Sequence, residues 1–323
     1  LQREEPMRLL TKPLSVGYHA DIFSCAACCS GCALLVLLIV PYFIGYYTYG
    51  FWRSEAYARE QPRVRFQHEA LVEGHIGAGA NASSFAWSTS VPLNVALGLR
   101  FRSCELRSWS DDDNNDGRPD ALHFALHVPL DAAASEQVYS ISLMVGLSYV
   151  ADDNKHAKLE MNGTILASYA SPLPGRRWLQ RSELVLHTQK PLPARNRGPP
   201  LACQPYFWMF ENPVEVDGSA ATAETILARY HQRCNDTIHT TDMHPALWTA
   251  GSDAAFDAQL SMIVPHGQIF YTPTGIEVLK FAWIQYLACL IPLATLIGCT
   301  HAACIQYGVL ATRAHNPLKP HGL

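Results

Sequence analysis

Two uninterrupted apolar runs frame the chain. The first, CALLVLLIVPYFIGYYTYG from Cys32 to Gly50, has no charge and no polar side chain between Ala33 and Ile44. Extended back through Ser24, the uncharged run reaches 27 residues, and about 20 apolar residues in a helix cross a bilayer core. A buried helix of a soluble protein keeps a polar face over such a length. Tyr42, Phe43, Tyr46, Tyr47, Tyr49, Phe51 and Trp52 crowd one end of the run, as rings do at headgroup level. A cleaved signal peptide has a shorter apolar core and small residues at its cleavage site, whereas tyrosines follow here. The second run, Phe281 to Ile305, is uncharged except for His301, and its Phe281, Trp283 and Tyr286 lie at the end nearer the first run. The pattern predicts membrane helices over 24–49 and 280–305. A domain over 50–279 separates them, and tails over 1–23 and 306–323 flank them. The chain opens at Leu1, as expected of a sequence lacking its native start.

Between the spans the period changes to two. Val64, Phe66 and His68 alternate with Arg63, Arg65 and Gln67, the mark of a strand. Phe85–Thr89 reads as a second strand and Leu99–Leu106 as a third. Leu122, Phe124, Leu126 and Val128 share one face of the next, with His123 and His127 on the other. The clearest alternation is Tyr139, Ile141, Leu143, Val145, Leu147 and Tyr149, one face of a strand over 138–150. Residues 156–169 are extended too, and Asn162-Gly163 fits either a hairpin turn or a bulge in one long strand. Pro172-Leu-Pro174-Gly175 predicts a turn, followed by strands at Trp178–Leu179 and Leu184–His187. Residues 190–205, rich in Pro, Gly and basic side chains, predict an irregular excursion. Ala223–Arg233 carries the domain's one helical pattern, and late strands are predicted near 246–249, 256–264 and 268–271. Many short strands with Pro/Gly turns give a mainly β, β-sandwich-like domain with one short helix.

Composition agrees with this division. Of 323 residues, 49% are hydrophobic and 16% charged, which suits a part-membrane chain. A net charge of −4 with no basic run argues against nucleic acid as a partner. Basic residues leave orientation undecided: Arg3, Arg8, Lys12, Arg313 and Lys319 in the tails balance Arg53, Arg59, Arg63, Arg65 and Lys280 beside the domain. The glycosylation sequons at Asn81, Asn162 and Asn235 all fall between the spans, which predicts an extracytoplasmic domain and cytosolic tails. Of ten cysteines, Cys104, Cys203 and Cys234 are in the domain, so at most one bridge forms there. Cys25, Cys28, Cys29 and Cys32 form overlapping C-x-x-C spacings. They read as small residues of a packed helix, with acylation nearest the interface, rather than as a zinc site. Small residues at Gly31, Cys32, Gly298 and Ala302 predict that the spans pack together in their tail-side halves.

No catalytic motif is present: no G-x-S-x-G, no H-E-x-x-H and no phosphate-cradling glycine loop. His123 and His127 lie about 13 Å apart along a strand, too far to share a metal. Asp112, Asn114, Asp116, Gly117 and Asp120 spell D-x-N-x-D-G-x-x-D, in which alternate oxygen side chains before a glycine let a loop wrap calcium. The twelfth position holds His123 in place of Glu and the flanks are strands. A loop-only calcium site through Asp112, Asn114, Asp116 and Asp120 and a solvated turn therefore both remain as readings. No other metal and no further cofactor is expected.

Five stretches, in order and at matching spacing, carry a family resemblance: GFW at 50–52, EQPRVRFQHE at 60–69, FAWST at 85–89, the acidic run through LHF at 112–124, and KFAWIQY at 280–286. Together they resemble the transmembrane protein 231 family over both spans and the domain between them. The likeness thins at 190–205 and in the tails. The resemblance implies a non-enzymatic membrane scaffold of the Meckel-syndrome complex at the ciliary transition zone. Its partners there are tectonics, meckelin and other membrane proteins, and its task is the barrier that controls ciliary membrane composition. Trp52, Phe66 and Trp87 are core or interface candidates. Two other classes compete. A glycosylated auxiliary subunit of a transporter or lipid flippase usually carries more loop disulfides. A two-span channel subunit needs a polar stripe, for which Gln285, Thr295, Thr300 and His301 are sparse.

Overall fold

The computed structural model describes residues 17–48, 50–78, 81–131, 135–153, 155–194, 208–210, 222–232 and 236–315. The chain divides into two compact units, one of residues 1–53 with 275–323 and one of residues 54–274.

The first unit holds the apolar runs. Helix α1 is Cys25–Thr48 and helix α4 is Gly275–Gln306, about 36 and 48 Å long at the helical rise. Almost nothing in their apolar windows is buried within the protein, which separates them from the core helices of a soluble fold. The second helix starts five residues before the predicted 280, because Glu277 and Lys280 join a polar first turn in which Val278 is buried. An acidic residue there faces the positive end of the helix dipole. Just outside the other helix ends, strands β1 (Gly17–His19) and β13 (Arg313–His315) pair antiparallel.

The second unit is mainly β. In chain order it runs β2 (Ala56–Glu60), β3 (Arg63–Ala78), β4 (Asn81–Ser88), α2 (Val91–Leu97), β5 (Glu105–Asp111), β6 (Ala121–Pro129), β7 (Gln137–Ala151), β8 (Leu159–His187), α3 (Ala223–Gln232), β9 (Thr237–Asp242), β10 (Leu247–Ala250), β11 (Ala255–Ile263) and β12 (Gly267–Tyr271). One sheet has the order β4-β3-β7-β8-β11-β6-β5, with β9 and β10 also on β8, and β12 pairs with β2 separately. Four inter-strand steps separate β3 from β6, about 19 Å in a flat sheet at the usual spacing. The rings of Phe66 and Phe124, one from each, nevertheless meet edge to face with centroids 5.1 Å apart. The sheet therefore curls over, and its two ends close on one core.

That core is built from the alternating faces the sequence predicts. Leu122, Phe124, Leu126 and Val128 of β6, Ile141, Leu143, Val145 and Leu147 of β7, and Phe256 and Leu260 of β11 surround a fully buried Trp178. Each such side chain contributes about 1.5–3 kcal/mol by leaving water. A smaller core lies on the outer face, where Leu71 and Met144 pack under Ile226 and Tyr230 of α3, with Met209 and Leu93.

Strand β8 departs most from expectation. Asn162-Gly163 is neither a turn nor a bulge, since pairing with β7 runs unbroken from Leu159 to Ala170. Pro172–Gly175 makes no turn either. Pairing skips from Ala170 to Gly175, so the prolines, which lack an N–H to donate, occupy the unpaired step. Beyond it β8 leaves β7 and runs parallel to β11 over Arg177–Glu183. Trp178–Leu179 and Leu184–His187 thus belong to this same strand. The expected strand over 99–106 is a 3-10 turn, Gly98–Arg100, followed by β5. Of the excursion at 190–205, residues 195–205 lie outside the described residues, as do Cys203, Cys234 and Asn235. Cys104 is a free thiol, and burial pushes its pKa up to about 12.

Candidate functional site

At one end of the β unit the acidic loop, the start of β3 and the end of β7 are tied together. Asp112 accepts the backbone N–H groups of Asp116 and Gly117, at 3.2 and 2.9 Å, on its two oxygens. Asn114 Oδ1 accepts the Asp116 N–H at 2.9 Å, and Asp116 Oδ1 accepts that of Arg118 at 2.9 Å. Asp116 Oδ2 accepts from the Asn114 amide at 3.2 Å. Asp120 accepts the Gln61 side-chain amide at 2.7 Å and the Asp113 N–H at 2.9 Å. The Gln61 bond, then the Asp113 bond, holds the Asp120 carboxyl below the usual aspartate range. Gly117 turns the loop at φ +81°, a conformation that favours glycine.

Every carboxylate oxygen of Asp112, Asp116 and Asp120 therefore already accepts a hydrogen bond from the protein. A calcium ion needs several oxygens at 2.3–2.6 Å from one point. Among the described residues, the acidic group whose ligand atoms all lie within 4.8 Å of one another is Glu60, Asp152 and Asp153. Two guanidinium groups pair with two of its three carboxylates. Arg63 binds both oxygens of Asp152 at 2.6 Å. Arg118 pairs with Asp153 and donates to the Gln61 carbonyl at 2.7 Å. Glu60 Oε1 accepts the Asp153 N–H at 2.8 Å. Charge-assisted contacts of this kind are stronger than hydrogen bonds between neutral groups. The arrangement joins three segments of chain, 60–63, 112–120 and 152–153, and presents no reactive group.

Beside it lies an open cleft of about 400 Å³, lined by Val64, Phe66, Trp109, Leu122 and Phe124 and by Asp112, Gly117 and Pro119 of the loop. Among the described residues its flanks are unpaired: β4 pairs with Leu71–Ala78, so Arg63–Phe66 has a strand neighbour on the β7 side alone. β5 ends the sheet with β6 as its sole partner among the described residues. Trp109 stacks on His123 with centroids 5.1 Å apart. His123 meets Asp111 and Ser261, whereas His127 meets Asp257, so each histidine has its own acid.

Two predicted placements differ from the positions seen in the structure. Asn162 is 4% exposed and Thr164 2%, because Asn162-Gly-Thr164 lies in mid-strand under α3, where a glycan has no room. The backbone of Asn81 opens β4. Gly31, Cys32, Gly298 and Ala302 are all exposed, and a side-chain carbon at either glycine would meet nothing within 4 Å. Within the tail-side halves the helices meet at Ser30, one turn after the buried Ala26. Ser30 Oγ donates to the Ala26 carbonyl at 2.9 Å and lies 2.9 Å from His301 Nε2. With its proton committed to Ala26, Ser30 accepts from His301. Tyr286 donates to the Leu38 carbonyl at 3.4 Å farther along. Sequence reasoning missed this pair, although one serine and one histidine in two apolar runs were the available signal.

The family model described as Transmembrane protein 231 matches residues 6–313, across both apolar helices and the curled sheet. The chain belongs to the transmembrane protein 231 family. Transmembrane protein 231 of Gallus gallus is 30% identical over 302 residues, 91% of this chain and 91% of that protein. The Homo sapiens protein is 30% identical over 290 residues, covering 88% and 86%. That of Xenopus tropicalis is 29% identical over 282 residues, covering 86% of each. A solved proton-activated chloride channel covers 88% of this chain and 100% of its own at 10% identity, with a TM-score of 0.20. Two of the stretches that carry the family resemblance, 60–69 and 112–124, meet in the clamp of Gln61, Arg63, Arg118 and Asp120.

Proposed function

We propose that this chain is a non-enzymatic membrane scaffold of the ciliary transition zone, part of the Meckel-syndrome complex and of the barrier that controls ciliary membrane composition. The observation that carries the reading is the family match, which spans both helices and the domain together. The chemistry of the β unit supports it. The charged groups at the clamp are engaged by hydrogen bonds or ion pairs, and the pKa shifts there arise from those contacts rather than beside a poised nucleophile. The two unpaired strand edges beside the apolar cleft offer a partner the means of strand addition. In this reading the domain is extracytoplasmic, the tails are cytosolic, and Asn81 and Asn235 remain the glycan acceptors. Calcium is not needed, since the loop serves as a strut.

Affinity purification of the tagged full chain from ciliated cells in mild detergent tests the proposal. Co-purification of tectonics and meckelin is expected. Recovery of a transport ATPase in their place would turn the reading to the auxiliary subunit of a transporter or lipid flippase. Protease added to sealed microsomes should trim the tails and spare 54–274. The reverse pattern refutes the topology.

A further inference from the structure

The tail-side end of α1 carries four cysteines, Cys25, Cys28, Cys29 and Cys32, all exposed. Their spacing of i, i+3, i+4, i+7 places them on one helix face. That face is turned away from α4, because Ala26 is buried and Ser30 contacts His301 on the other side. The helix start is defined: Ser24 Oγ accepts the Ala27 N–H at 3.2 Å and its carbonyl accepts the Cys28 N–H at 3.0 Å. Cys25 is thus the first helical residue. Immediately before it, Ile22 is 85% exposed and Phe23 is fully exposed. Two large apolar side chains outside the helix, with the protein covering neither, mark the level of the headgroup–acyl boundary. By the helical rise, Cys28 and Cys29 lie about 5–6 Å deeper than Cys25, and Cys32 lies about 10 Å deeper.

We infer that Cys25, Cys28 and Cys29 are sites of S-acylation, taking a long-chain acyl group from acyl-coenzyme A through a membrane acyltransferase. Thiols at this level on a lipid-facing helix are the substrates that chemistry requires. The cysteine sulfur attacks the thioester carbonyl, the new sulfur–carbon bond replaces the one to coenzyme A, and the thiol proton leaves with the coenzyme A thiol. Cys32 lies too deep for the same transfer. The attached chains run along the free face of α1 beside the bilayer's own. The inference rests on the proposed topology, since acyl-coenzyme A is cytosolic.

The test is hydroxylamine-dependent acyl exchange with a mass tag on the full chain from cells, combined with a membrane-impermeant maleimide on sealed vesicles. Tags are expected on the wild type and on Cys32→Ser, and loss of all tags from a Cys25→Ser, Cys28→Ser, Cys29→Ser triple variant. Peptide mapping of the tagged wild type reads the same sites without any variant. No hydroxylamine-dependent tag, with the thiols labelled from the cytosolic side, overturns the acylation and leaves the topology standing. No tag, with labelling only after permeabilisation, overturns both. Tags that persist in the triple variant overturn the site assignment.

Discussion

Besides packing on the outer core, Tyr230 ties α3 to β9 through its hydroxyl. The oxygen accepts the Ile238 backbone N–H at 2.9 Å. The ring is 1% exposed and its neighbourhood is apolar. Tyr230→Phe leaves that N–H without its acceptor, a loss of about 1–3 kcal/mol for a buried donor. The same hydroxyl explains Gly163. A side-chain carbon there would lie 2.4 and 2.6 Å from Ile238 Cγ1 and Cδ1 and 2.7 Å from Tyr230 Oη. Gly163→Ala should therefore destabilise by about 1–3 kcal/mol through overpacking. Removing the hydroxyl relieves one of the three collisions, so the double variant should lose less than the sum, with a coupling of about 0.5 kcal/mol or more. Thermal unfolding of the four proteins in the same detergent reads this out, at about 2–4 °C of Tm per kcal/mol for a domain of this size. Tyr230→Phe melting like wild type, or single losses that add within ~0.3–0.5 kcal/mol, would refute the contact.

Three further outcomes follow from contacts elsewhere. His301→Ala should weaken the pairing of α1 and α4 by about 0.6 kcal/mol, the average for hydrogen bonds between membrane helices; Gly31→Leu and Gly298→Leu should be silent, and thermal unfolding of the full chain in detergent reads all three. Burial raises the Glu69 carboxyl pKa against the pull of the Met209 and Phe210 N–H groups, so its folded value lies above its unfolded one. Its contribution to stability is then full below the usual glutamate value of about 4.3 and fades as pH rises through the folded value. Glu69→Gln should flatten that part of a Tm-against-pH curve, and an unchanged slope counts against the shift. Calorimetry of the full chain with millimolar calcium should give no heat, whereas heat that disappears in Asp116→Ala would restore the loop as a cation site.

How much of this fold could be read in advance differs by interaction range. The faces of β6 and β7 were legible because each alternates under one continuous core, so Leu122, Phe124, Ile141 and Leu143 announce themselves locally. Met144 did not, since its burial depends on α3 arriving from eighty residues downstream to cover the other face. Gly163 and Pro172–Gly175 carry strong local turn chemistry, yet both are overridden. One glycine admits Tyr230 and Ile238, and the prolines sit where β8 leaves β7 for β11 and needs no donor. The curl of the sheet is set by the parallel pairing of β8 with β11, which no local pattern encodes. The clamp was legible in part: the sequence singled out Asp112, Asn114, Asp116 and Asp120, but not Gln61, which donates to Asp120, nor the Arg63–Asp152 and Arg118–Asp153 pairs beside them.

The membrane helices make the sharpest contrast. Small residues permit close approach but do not demand it, so Gly31 and Gly298 are as stable against lipid as against a neighbour. A polar side chain in hydrocarbon has a direction, because leaving it toward lipid is unfavourable. Ser30 and His301, one in each run, therefore fix the rotation of α1 and α4 more firmly than any count of glycines and alanines. Taking that pair as the seam places Ala26 inside and Cys25, Cys28, Cys29 and Cys32 outside, which is where the structure puts them. If His301→Ala left the helix pairing intact while Gly31→Leu broke it, that order of inference would have to be reversed, and the cysteine face would become the contact face rather than the lipid face.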